Sequence, residues 1–62
     1  MAKRRTKIEA LVDAAFMAVG TNRQFNIMDL GKIHRAGMAA APGGPAAILA
    51  AVSAACDQYE QK

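Results

Sequence analysis

The sequence predicts an all-α fold, a small domain of three helices. Three observations carry that prediction. Apolar residues recur at helical spacing in three separate stretches. Each stretch opens or closes on residues that start or stop helices. Only "QFNIM", residues 24 to 28, alternates as a strand does, and no second strand is at hand to pair with it.

The first helix is placed at about residues 6–19. Ile8, Leu11, Val12, Ala15, Phe16 and Val19 share one face, with Glu9 and Asp13 opposite. Thr6 and Glu9 match the T-x-x-E capping box, which satisfies two of the open N–H groups at a helix start. Gly20 suits a left-handed cap at the other end. Residues 1–5 then form a basic N-terminal arm, and 6–62 a single small helical domain.

The second helix is placed at about 27–41. Asn26 caps it, with Asp29 three positions on. Ile27, Leu30, His34, Met38 and Ala41 share a face with Gly31 and Gly37, while Asp29, Lys32 and Arg35 point elsewhere. Each glycine weakens the helix by roughly 1 kcal/mol relative to alanine. Close packing at the two glycines, or an early helix end at Gly37, would account for that cost.

Pro42 stops the second helix and Gly43-Gly44 turns the chain. Pro45 fits the first position of a third helix at about 45–59, where its missing N–H has no partner to lose. Ile48, Leu49, Val52, Cys56 and Tyr59 form a stripe about 100° wide. The remaining surface is mostly alanine, in the rows Ala47-Ala51-Ala55 and Ala46-Ala50-Ala54. Alanine has the highest helix propensity. Rows of small residues also let a second helix approach closely.

Size gives the rows their interest. A chain of 62 residues buries only roughly 60% of its unfolded surface and often needs a staple or a partner. Cys56 is the lone cysteine, so no internal disulfide forms, and with one histidine, His34, no structural zinc site is expected. A homodimer is therefore expected, with Ala47, Ala51 and Ala55 as its interface. No charged residue falls between Ala36 and Cys56. Even so, alanine is weakly apolar and Pro42-Gly43-Gly44-Pro45 breaks backbone hydrogen bonding, so no membrane span is expected. Glu9 and Asp13 interrupt the apolar run a secretory leader needs. A cytoplasmic location is expected.

Catalysis is not expected. Cys56 and His34 have no orienting carboxylate or oxyanion motif in a recognisable pattern, and Gly43-Gly44-Pro45 lacks the lysine of a phosphate loop. No cofactor, metal or small-molecule substrate is foreseen. The charge is the stronger signal. The net charge is +3, and Lys3, Arg4, Arg5 and Lys7 crowd the first seven residues. Such an arm contacts phosphates, and Arg23, Lys32 and Arg35 extend the cationic surface. Three helices with a tight turn resemble a helix-turn-helix domain, which implies DNA binding through the third helix. That helix carries no lysine or arginine to read base edges. DNA contact is therefore assigned to the arm and the second helix. The expected function is a non-enzymatic, small regulatory DNA-binding protein. The alternative is a protein-binding regulator, an adaptor or inhibitor, that docks a helical face on its partner.

Overall fold

A computed structural model describes residues 7–61. Among them are three α-helices and no strand: α1 (Lys7–Gly20), α2 (Ile27–Ala39) and α3 (Pro45–Tyr59). A 3₁₀ turn, Ala41–Gly43, links the last two. The predicted all-helical architecture is thus present. Thr6 and the capping box built on it lie outside the described residues, as does the arm at 1–5.

Two boundaries move for local reasons. Gly20 belongs to the last turn of α1, and the left-handed residue is Asn22, with φ of 68°. Asparagine tolerates that conformation because its short amide bonds to nearby backbone. Gly20 answers a different need: a Cβ there would meet the Phe16 ring at 3.0 Å. The second helix ends at Ala39 rather than 41, because the Ala40 N–H is shared by the Ala36 and Gly37 carbonyls and the turn then tightens. At its start the Asn26 side chain accepts from the Met28 N–H at 3.4 Å, a long cap in the expected place. Between α2 and α3, Gly44 has φ of 91°, where only glycine is unstrained, and its carbonyl accepts from Ile48 N–H at 3.0 Å.

The core is Val12 and Ala15 from α1, Ile33 from α2, and Ile48, Val52, Ala55 and Cys56 from α3. Helix α3 packs along both other helices, which touch each other far less. The three meet at Gly37. A Cβ there would lie 2.7 Å from Val12 Cγ1 and 2.9 Å from Val52 Cγ2. Glycine is therefore required for close approach, and the helix continues through it.

The buried face of α2 differs from the predicted one, while on α3 Ile48, Val52, Cys56 and Tyr59 pack on the core as predicted. On α2 the inward residues are Ile33 and Gly37, while Ile27 is 82% exposed and Leu30 is also exposed. The predicted α2 face is rotated off the core by about one residue, or 100°. On α3, Ala55 is buried and Leu49 is exposed. Helix α3 sits between two neighbours and needs a small residue where one of them comes close.

Candidate functional site

Where the cationic side chains lie decides what they can do. Lys3, Arg4 and Arg5 are outside the described residues. Lys7 is exposed at the start of α1. Arg23 is committed within the chain: its Nη1 donates to Asp57 Oδ1 at 2.8 Å and lies 3.5 Å from Glu60 Oε1. The Asp57 hydrogen bond and the two carboxylates hold the guanidinium pKa above its ordinary value, although burial opposes them. Beside this clamp the Gln61 N–H donates to the Gln24 carbonyl at 2.8 Å. Arg23 therefore ties the end of α3 to the loop after α1.

Lys32 Nζ sits 3.7 Å from Asp29 Oδ1 and 5.5 Å from the centre of the Tyr59 ring. The first contact is within α2 and the second sets the ammonium against α3. Arg35 is exposed and makes no ion pair among the described residues. Of the four described cations foreseen on one phosphate-binding surface, Arg23 and Lys32 both lie against the end of α3. Both have acidic partners of their own, and Lys7 and Arg35 lie on different helices.

The alanine row also divides. Ala55 is 6% exposed and belongs to the chain's own core, and Ala47 and Ala51 are half-buried. The row open to solvent is Ala46, Ala50 and Ala54.

A different surface stands out. Among the described residues, five of the six exposed large apolar side chains belong to α1 and α2, namely Ile8, Met17, Ile27, Met28 and Leu30. Between these helices runs a groove of about 210 Å³, lined by Val12, Asp13 and Phe16 from α1 and Leu30, Ile33 and His34 from α2. Sparse contact between α1 and α2 leaves it open. Ile33 and Val12 form its floor, each 1% exposed. Phe16, braced by Phe25 with ring centres 5.6 Å apart, forms part of the α1 wall. Asp13 Oδ1 and His34 Nδ1 face each other across it at 4.0 Å. On α2, Leu30, His34, Ile27 and Gly31 occupy a continuous arc of about 100° on the groove's outer lip. A Cβ added to Gly31 would meet nothing within 4 Å.

The face predicted for α2 omits Ile33; of its members Gly37, Met38 and Ala41 pack on the core, while Ile27, Leu30, Gly31 and His34 lie outside it. They do share a face, and it is the outer one. Its signal was the pair of α2 glycines: one has a packing role inside the chain and the other has none.

Chemically the groove is mostly apolar, with one carboxylate and one imidazole among its lining. It is smaller than the roughly 300–1,000 Å³ of ordinary ligand pockets. Cys56, the one nucleophilic thiol, is fully buried in the core on α3, and burial pushes its pKa up, away from the reactive thiolate. The described residues hold no group of three or more histidine, cysteine or acidic side chains placed to bind a metal ion. No described helix is long and apolar enough to cross a membrane. The sequence matches no protein-family model, and no curated protein or solved structure is significantly similar to it.

Proposed function

We propose that this chain is a protein-binding regulator, an adaptor or inhibitor, that docks its α1/α2 face on a helical segment of another polypeptide. The observation that carries the reading is the half-open apolar groove with Ile27 and Leu30 on its lip, exposed at 82% and 39%. Surface apolar side chains are common singly. Leu30 lines the groove and Ile27 lies on the same arc of α2, and exposed apolar residues beside a groove favour an interaction surface. A helix laid there places anchors at i, i+3, i+4 and i+7 against Phe16, Leu30 and Ile27. Function then rests on binding, without catalysis.

The test is affinity capture from the cells that make the protein, with wild type and the Ile27→Asp/Leu30→Asp double variant side by side. The reading expects a stoichiometric protein partner, lost in the double variant and retained in Arg35→Ala. Capture unchanged by the two aspartates contradicts it.

The cationic arm supports a second reading, regulatory DNA binding through Lys3, Arg4, Arg5 and Lys7 with Arg35. Titration with duplex DNA at low and moderate salt separates the two. A phosphate-bound arm loses affinity steeply with salt, and Arg4→Ala/Arg5→Ala weakens it on every sequence. Absence of duplex binding at low salt removes this reading.

A further inference from the structure

We infer that the α1/α2 groove is held in shape from a distance, by a strap that ties the loop after α1 to the end of α3. Arg23 is the positioning residue of that strap. The inference rests on the protein-binding reading in taking the groove as the functional site, and it adds the contact that regulates it.

The walls of the groove do little to hold each other. Helices α1 and α2 touch sparsely, while both pack on α3. Asp13 Oδ1 and His34 Nδ1 stand 4.0 Å apart across the groove, at the limit of an ion pair. The chain that joins the two walls is fixed elsewhere, through three consecutive loop residues. Arg23 Nη1 donates to Asp57 Oδ1 at 2.8 Å and lies 3.5 Å from Glu60 Oε1. The Gln24 carbonyl accepts from the Gln61 N–H at 2.8 Å. The Phe25 ring lies 5.6 Å from that of Phe16, tilted by 50°, and Phe16 lines the groove.

The first two contacts lead to the end of α3 and the third to the groove wall. A peptide unit is planar and turns only at φ and ψ, so a loop anchored at Arg23 and Gln24 leaves Phe25 little freedom. Asn26 follows at once and caps α2, so the strap also fixes where α2 starts. Lys32, 5.5 Å from the centre of the Tyr59 ring, ties α2 to the same end of α3. None of Arg23, Asp57 and Glu60 lines the groove.

The strap is weak enough to yield. The Arg23 and Asp57 side chains are 29% and 66% exposed. Ion pairs this open are screened by salt and shift a local equilibrium by up to about fivefold. Release takes the brace from Phe16 and loosens the groove, while the core around Val52 stays closed.

Solution NMR of the full chain tests this. The readouts are the Overhauser contact between the Phe16 and Phe25 rings and the methyl resonances of Leu30 and Ile33. Arg23→Gln and Asp57→Asn/Glu60→Gln are each expected to weaken the ring contact and to displace the methyl resonances in a common direction. Rising salt drives wild type toward the variants, and the charge swap Arg23→Asp/Asp57→Arg restores the wild-type spectrum. Arg35→Gln changes neither readout, and far-UV circular dichroism shows the helices intact throughout. Readouts that stay at wild-type values in both strap variants overturn the inference, as does a wild type indifferent to salt or a change that the charge swap does not reverse. The protein-binding reading fails separately. A groove that follows the strap but captures no protein sinks that reading alone, and a partner captured through Ile27 and Leu30 by a groove indifferent to Arg23 sinks the strap alone.

Discussion

Gly37→Ala offers the sharpest test of the packing. The added methyl would stand 2.7 Å from Val12 Cγ1 and 2.9 Å from Val52 Cγ2, where ordinary contact begins at 3.4 Å. Both valines are buried at 1% exposure or less. Their β-branched side chains have one strongly preferred rotamer in a helix. The helices must therefore separate, and α3 carries much of the core away from α2. Overpacking of this kind costs about 1–3 kcal/mol, and pressure on two sides places it near the upper end. Removing a mid-helix glycine returns about 1 kcal/mol. The net loss is about 2 kcal/mol, or roughly 10 °C in melting temperature for a domain of this size. Thermal unfolding followed by far-UV circular dichroism measures it. Gly31→Ala is the control: with no neighbour within 4 Å it gains up to about 1 kcal/mol. A Gly37→Ala protein as stable as wild type, or two variants that melt alike, would show that no close contact exists at Gly37.

Other outcomes follow from the same contacts. Gly44→Ala places a Cβ on a residue at φ of 91° with no neighbour to hit, so its cost of about 1–3 kcal/mol is backbone strain alone, read by chemical denaturation. Arg23→Ala releases Asp57 and Glu60 and should speed amide exchange at Gln61 while leaving that of Val52 nearly unchanged. Burial raises the Cys56 pKa in the folded chain, so deprotonation favours the unfolded state. The stability this group contributes is complete below the ordinary thiol pKa, about 8.5, and falls as pH rises above it. Denaturation midpoints at neutral and alkaline pH should therefore show a decline that Cys56→Ala reduces. Labelling of the wild-type thiol should track unfolding.

Much of the fold was legible because its ends are written in local chemistry. Pro45 after two glycines fixed the start of α3, and Asn26 fixed that of α2. What failed was the choice between faces. Ile33 lies between Lys32 and His34 in the sequence and drops out of a template started at Ile27, although it is 1% exposed. Leu49 looked inward because it is large, and Ala55 outward because it is small. Proximity of a neighbouring helix reversed them, and that is a tertiary fact. Arg23 read as a free cation because its acids, Asp57 and Glu60, lie more than thirty residues away in the sequence. The groove was half visible: Ile27, Leu30, Gly31 and His34 were grouped correctly, and only the solid structure shows that their face looks outward.

The binding surface itself can be mapped inside cells, before dilution dissociates any complex, by carbene footprinting of side chains. Phe16, Ile27 and Leu30 are expected to be protected relative to the isolated dilute chain, with Ala46, Ala50 and Ala54 on α3 labelled equally in both. Protection on the α3 alanines, with the α1/α2 groove labelled as in the free chain, would contradict that expectation.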